Sequence, residues 1–282
     1  EVMMTYEEKE GVLFSADAFG KFGALDGQIC RGRSITGGGE GNGDRGVGSA
    51  AGASNASNAP NGAATDDLED WACEARRYYI GIVGKYGAQV QPVLKKAAAL
   101  DIKTICPLHG PVLTGQLADY LALYDTWSSY EPETKGVCIC YTSVYGNTKK
   151  AVELLQEQLL AAGEETVVVN DLARCDMAEA VEDAFRYDRL VLATTTYNSD
   201  IFPFMNQFID HLTERNFRKR FVGFMENGSW GPMATRIMKA KFEKSKELIF
   251  AENNVTIKSA LNEASTAQVK ALAKELAEAG KV

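Results

Sequence analysis

Gly136-Val137-Cys138-Ile139-Cys140-Tyr141-Thr142-Ser143-Val144-Tyr145-Gly146-Asn147-Thr148 is the stretch from which the fold of this chain follows. Its first six residues form an unbroken apolar run, the mark of a strand buried on both faces. Directly after Thr148, the segment Lys149 to Ala162 carries Ala151, Leu155 and Leu159 at helical spacing. A buried strand therefore passes through a short loop of hydroxyls and one glycine straight into an amphipathic helix.

The same unit recurs toward the C-terminus. Strands are expected at Thr166 to Val169, Arg189 to Ala193, Phe221 to Met225 and Val255 to Ile257, with helices near Met177 to Phe185, Pro203 to Leu212, Met233 to Lys246 and Thr266 to Ala279. Pro203 suits a first helical position, and Ser265 with Gln268 reads as a capping box ahead of Val269, Leu272 and Leu276. Five strands alternating with helices predict an α/β fold with a doubly wound, five-stranded parallel sheet. Such sheets bind ligands at the carboxyl ends of their strands.

The loop from Ser143 to Thr148 lies at such an end. Successive backbone N–H groups, the Ser143 and Thr148 hydroxyls and the positive end of the following helix suit a phosphate. It lacks the Gly-Lys-Ser/Thr ending of a nucleoside triphosphate site, and Gly-x-Gly-x-x-Gly is also missing, so a phosphate monoester fits better than a dinucleotide. The alternative is a plain strand-to-helix turn capped by Asn147 or Thr148. Two more loops at the same edge favour a ligand: Thr194-Thr195-Thr196-Tyr197-Asn198 and Glu226-Asn227-Gly228-Ser229-Trp230-Gly231. Both offer aromatics and hydroxyls.

The N-terminal part is of another kind. Strand-like runs at Val2 to Tyr6 and Gly11 to Ala16 lead to Asp17, and the run Ile102 to Cys106 leads to His109. Helices are expected from Trp71 to Tyr86, Val90 to Leu100 and Gln116 to Trp127. Between Gly37 and Ala64, 23 of 28 residues are Gly, Ala, Ser or Asn, which offers too little apolar surface to offset the entropy of ordering. A flexible insertion is expected at about residues 32–66. The polar, Pro-containing stretch Ser128 to Thr134 reads as a boundary between domains at 1–130 and 135–282.

The 282 residues, 45% of them hydrophobic, suffice for two buried cores, and a formal charge of −8 disfavours nucleic acid and anionic membrane surfaces. A small, positively poised partner is favoured. No apolar stretch approaches the roughly 20 residues of a bilayer span, and no signal-peptide pattern opens the chain, so a cytoplasmic location is expected. Six scattered cysteines without a Cys-x-x-Cys pair argue against a zinc ribbon or disulfide framework. Cys138 and Cys140 share a strand face and read as packing residues. The chain opens on Glu1 within a strand-like run, as expected of a chain cut inside a domain.

The three C-terminal loops resemble those of flavodoxins, whose phosphate loop runs Ser/Thr-x-Thr-Gly-x-Thr. Here Tyr145 stands in place of the usual Thr. The resemblance implies FMN held by Ser143, Val144, Tyr145, Gly146, Asn147 and Thr148. Thr195, Thr196, Tyr197 and Asn198 would line one side of the flavin, and Asn227, Gly228, Ser229 and Trp230 the other, with Tyr197 and Trp230 stacking. Leu13 to Gly20, Glu74 to Tyr79 and Leu108-His109-Gly110-Pro111 are in turn similar to flavodiiron proteins, which join a metallo-β-lactamase-like αββα di-iron domain to a flavodoxin-like domain in this order.

That resemblance implies Asp17 as the carboxylate bridging two irons and His109 as the last histidine ligand. It also implies an FMN-dependent oxidoreductase that takes electrons from a rubredoxin-type donor or its reductase and reduces O2 or NO, working as a head-to-tail homodimer. The family's His-x-Glu-x-Asp-His cluster has no counterpart, and His109 and His211 are the only histidines, so an incomplete iron site in an N-terminally truncated chain is expected. His211, on the Pro203 to Leu212 helix, reads as a half-exposed surface residue. A flavodoxin-type electron carrier without terminal reductase activity explains the same residues.

Overall fold

The computed structural model describes residues 3–23, 29–32 and 68–281. The Gly/Ala/Ser/Asn-rich stretch and the acidic pair Asp66 and Asp67 lie outside these. Contacts divide the chain into two units, one running up to Ala75 and including Ala97–Ala122, the other made of Arg76–Lys96 and Leu123 onward.

The first unit holds five strands, β1 (Thr5–Glu7), β2 (Val12–Ala16), β3 (Ile29–Gly32), β4 (Thr104–Pro107) and β5 (Val112–Gly115). They form one sheet in the order β1-β2-β4-β5-β3, with β2 parallel to β4 and β3 parallel to β5. Leu13, Ile105 and Leu113 are buried on it. Neither β3 nor β5 stands out in the sequence, because each is only four residues long.

Helix α1 (Leu68–Tyr78) continues into a π turn at Tyr79–Val83, a 3-10 turn at Gly84–Tyr86 and helix α2 (Gly87–Ala97). The sequence suggested two ordinary helices here. Tyr130 accounts for the change in winding: its hydroxyl donates to the Gly84 carbonyl at 2.8 Å and accepts the Gly87 N–H at 3.2 Å. A side chain inserted into the backbone ladder is a recognised cause of such irregularity. Gly87 is required by space, since a Cβ there would lie 2.4 Å from the Ser128 carbonyl oxygen and 2.8 Å from the Tyr130 ring. Helix α3 follows at Leu117–Ser128.

The second unit is the predicted doubly wound sheet. Its elements are β6 (Thr134–Tyr141), α4 (Asn147–Ala161), β7 (Val167–Asp171), α5 (Met177–Arg186), β8 (Tyr187–Tyr197), β9 (Asp200–Ile201), α6 (Pro203–Glu214), β10 (Phe221–Asn227), α7 (Ala234–Lys241), β11 (Ile249–Phe250), β12 (Val255–Ile257) and α8 (Glu263–Ala279). Strands β7, β6, β8, β10 and β12 lie side by side and parallel. In order of appearance this is 2-1-3-4-5, which puts the reversal of winding between β6 and β8. Val137, Ile139, Val191 and Met225 meet Leu155 and Leu159 of α4 and Val269, Leu272 and Leu276 of α8 in one core.

Two local expectations fail for identifiable reasons. The helix anticipated over Met233 to Lys246 stops at Lys241, because Phe242 turns inward, 2% exposed, with its ring centroid 6.2 Å from Phe217 and 6.4 Å from Phe250. The chain freed by this break supplies β11, which pairs with the start of β10 while β12 pairs with its end. The capping box of α8 is Asn262 with Ser265, not Ser265 with Gln268. Gln268 instead accepts the Thr256 N–H at 2.9 Å.

A buried ion cluster lies within this unit. Arg76 makes paired hydrogen bonds of 2.5 Å to Glu133 and also bonds Glu182, while Trp127 Nε1 donates to Glu133 at 2.7 Å. Burial works against ionisation of Glu133, yet the hydrogen bonds and charge of Arg76 hold its carboxyl below the usual range. At Glu182 burial prevails over Arg76 and the carboxyl is held above that range.

Candidate functional site

Register places three loops at one edge. Tyr141 of β6 pairs with Ala193 of β8, and Thr195 of β8 with Asn227 of β10, so the residues that follow all leave the sheet at its carboxyl end. The buried hydroxyls of Thr142 and Thr194, 2.6 Å apart, join β6 to β8 directly beneath the loops.

In the first loop, Ser143 Oγ accepts the Gly146 N–H at 3.1 Å and the Lys149 N–H at 3.3 Å. A hydroxyl oxygen has two lone pairs, so the Ser143 O–H is left only as a donor. Gly146 adopts φ 85°, the left-handed conformation that glycine takes without cost, and a Cβ there would meet nothing within 4 Å. Among the described residues no protein acceptor serves the backbone N–H groups of Val144, Tyr145, Asn147 and Thr148. The loop is therefore rich in unspent donors at the positive end of α4 and carries no carboxylate of its own. This donor set fits a phosphate. Val144 is half exposed and Tyr145 is 92% exposed, so the tyrosine that replaces the usual Thr points no hydroxyl into the cradle's buried side. Thr148 is buried.

The second loop is a tight hairpin. Asn198 and Ser199 both have positive φ, 50° and 59°, between the paired residues Tyr197 and Asp200, as a primed two-residue turn demands. Tyr197 is half exposed, its ring backed edge-on by Phe202 at 5.2 Å. Thr195 Oγ1 donates to the Asn227 carbonyl at 3.1 Å, and Thr196 Oγ1 accepts the Met233 N–H at 3.0 Å. The second and third loops are thus stitched together at both ends of the third.

In the third loop, Gly228 is required by crowding: a Cβ would lie 2.9 Å from Pro232 Cα. Glu226 accepts the Thr235 N–H at 2.9 Å, capping α7, and the Thr256 hydroxyl at 3.0 Å. Ser229 is exposed, and Trp230 is 97% exposed on this anchored loop. A large aromatic presented this way on a fixed support is a surface prepared for a planar apolar partner. The residues present fit FMN: donors for its phosphate at one end, aromatics for its ring at the other.

Sequence reasoning missed a fourth loop. Asn227 Nδ2 donates to Thr148 Oγ1 at 3.4 Å and to the Ser259 carbonyl at 3.1 Å, and its Oδ1 accepts the Ser259 N–H at 3.1 Å. Ser259 follows β12 with φ 71°. Its place past the fifth parallel strand was the available signal.

The first unit brings its two candidate ligands together: Asp17 Oδ1 lies 3.6 Å from His109 Nε2. The loops carrying them are knitted by bonds from Leu108 N to the Ala16 carbonyl at 2.8 Å and from Lys21 N to the His109 carbonyl at 3.2 Å. Ala16 and Phe19 have positive φ, 52° and 64°, a conformation that non-glycine residues hold only where the surroundings fix it. No group of three or more His, Cys, Asp or Glu able to hold a metal occurs among the described residues. One carboxylate and one imidazole do not fit a di-iron centre. His211 is half buried on α6 of the second unit, 3.9 Å from Glu214.

Residues 138–274 match the family described as the flavodoxin domain. An uncharacterized protein of Methanocaldococcus jannaschii is 24% identical over 73% of this chain and 52% of its own length, and a nitric oxide reductase of Moorella thermoacetica is 26% identical over 65% and 46%. Among solved structures, rubredoxin oxygen:oxidoreductase from Desulfovibrio gigas superposes with a TM-score of 0.79 at 20% identity, covering 99% of this chain and 62% of that one. The flavodiiron protein from Giardia intestinalis gives 0.78 at 19% identity, covering 99% and 61%. The chain spans about half the length of the curated relatives it matches.

Residues 138–274 of the second unit thus form a flavodoxin-like domain, and the chain shares its fold with those two structures over nearly its whole length. The chain is similar in fold to flavodiiron proteins, and a nitric oxide reductase is among the proteins it resembles in sequence.

Proposed function

We propose that this chain binds FMN across the Ser143 to Thr148, Thr195 to Asn198 and Asn227 to Trp230 loops and relays electrons as part of a flavodiiron-type O2 or NO reductase. The observation that carries it is the Ser143 hydroxyl, whose lone pairs are consumed by two N–H groups so that it can only donate, within a loop of unspent backbone donors. When bound, FMN supplies one- and two-electron redox chemistry. The chain's own residues hold and orient it. The phosphate loop would hold one end and Tyr197 and Trp230 would meet the ring, while the ties between the second and third loops fix those loops to each other. A rubredoxin-type donor or its reductase, a head-to-tail homodimer and a cytoplasmic location belong to the same proposal, and the similarity to rubredoxin oxygen:oxidoreductase supports the donor.

The family match over residues 138–274 favours a second reading: a flavodoxin-type electron carrier. Titrating FMN into the purified chain tests the shared part. Trp71 and Trp127 are buried and Trp230 is not, so flavin binding quenches the red-shifted part of the tryptophan emission. Ser143→Ala with Thr148→Ala weakens binding, each hydroxyl contributing roughly 0.5–1.5 kcal/mol. A colourless protein that takes up no FMN refutes the proposal. Iron retained after desalting, with O2 or NO consumption under a reductant, selects the reductase, and flavin without iron selects the carrier.

A further inference from the structure

Asn227 was expected to line the flavin, but its side chain is engaged elsewhere. It is only 8% exposed, and all its amide bonds run to protein: Nδ2 to Thr148 Oγ1 and to the Ser259 carbonyl, Oδ1 from the Ser259 N–H. Its own carbonyl accepts the Thr195 hydroxyl. One residue therefore joins the phosphate loop, the second loop, the third loop and the loop after β12.

We infer that Asn227 is a positioning residue that sets the polarity of the Thr148 hydroxyl and so gives the site its preference for FMN over the phosphate-free flavin. The chemistry is that of hydroxyl orientation. An N–H donated into Thr148 Oγ1 occupies a lone pair and directs the O–H hydrogen away from Asn227, where it serves as a donor to an anion. Gly146 N and Lys149 N impose the same polarity on Ser143. Ser143 is set from within its own loop, whereas Thr148 is set from a strand 79 residues away. The bonds to Ser259 hold the Asn227 amide in one orientation, because its carbonyl oxygen must face the Ser259 N–H and its NH2 the Ser259 carbonyl. The effect is confined to the phosphate end, since neither Tyr197 nor Trp230 bonds to the Asn227 side chain.

The inference rests on the FMN reading, and the experiment separates the two. Affinities for FMN and for riboflavin are measured by tryptophan quenching for the full chain and for Asn227→Ala and Asn227→Asp. Asn227→Ala lowers FMN affinity roughly 3- to 10-fold, as loss of one oriented hydrogen bond does, and leaves riboflavin affinity within about two-fold. Asn227→Asp keeps the acceptor for Ser259 N–H but removes the donor and sets a carboxylate beside Thr148, so it loses more FMN affinity than the Ala variant while riboflavin again changes little. Equal losses for both flavins overturn the inference by making Asn227 a ring contact, and no loss overturns it outright. If the unaltered chain binds neither flavin, the FMN reading fails. Amide exchange then judges the tie by itself: faster exchange at Ser259 in Asn227→Ala, with Gly146 and Lys149 unchanged, supports it, and unchanged exchange at Ser259 sinks it.

Discussion

Replacing Gly146 isolates one physical term at the centre of the site. Its φ of 85° and ψ of −7° lie in the left-handed region, and a Cβ built there meets no atom within 4 Å. Gly146→Ala therefore creates no clash, and its whole cost is conformational, roughly 1–2 kcal/mol for an L-residue held in this region. Where the loop keeps its shape, the cost appears as stability: for a unit of this size about 2–8 °C in Tm. Where it relaxes instead, the Ser143 Oγ bond from Gly146 N is lost and the cost appears as FMN binding weakened about 5- to 30-fold. Thermal unfolding and FMN titration, done on the same variants, capture both. Asn visits left-handed backbone more readily than Ala, and β-branched residues less readily, so the order of damage is Asn, then Ala, then Val. If the three variants behave alike, or if Gly146→Ala matches the original chain in both assays, the backbone argument is wrong.

Other outcomes follow from the packed ion cluster and from the irregular helix. The Glu133 carboxyl is held below its usual range, so its contribution to stability is present above the unfolded value near ~4.3 and is lost as pH falls through the lowered one. The urea midpoint should drop over that acid limb, and Glu133→Gln should flatten it; superimposable limbs would contradict the assignment. Glu182 is held above its usual range and has the opposite sign: its contribution is present below ~4.3 and is lost as pH rises through the raised value, a slope that Glu182→Gln should remove. Tyr130→Phe strips the partner from the buried Gly84 carbonyl and Gly87 N–H, at a cost of roughly 1–3 kcal/mol in urea unfolding, and an unchanged midpoint would show that the hydroxyl does not hold the irregular turn.

The doubly wound sheet was legible because its signals are local and strong. The apolar run at Val137 to Tyr141 admits little but a buried strand, and Pro203 does begin α6 as its missing N–H allows. What escaped was decided at a distance. Nothing near Phe242 says that its ring will be drawn against Phe217 and Phe250, ending α7 early, and nothing near Gly84 announces that Tyr130 will reach back to the ladder. The hairpin at Asn198 and Ser199 depends on two successive left-handed residues, which neither residue type compels alone.

The same division of local from distant holds in the site. Ser143 and Gly146 act within one loop, so their pattern could be read along the chain. Asn227, Thr148 and Ser259 act together only because β10 lies beside β12 and α4 begins at the same edge, a consequence of strand order rather than of spacing. Asp17 and His109 are an intermediate case: two strand-end residues 92 positions apart that meet because β2 and β4 are parallel neighbours. Parallel neighbours bring their carboxyl-end loops together whatever separates them in sequence. Each unit thereby gathers polar residues at one sheet edge: the Asp17 and His109 pair in the first, and the hydroxyls, amide and backbone donors of four loops in the second.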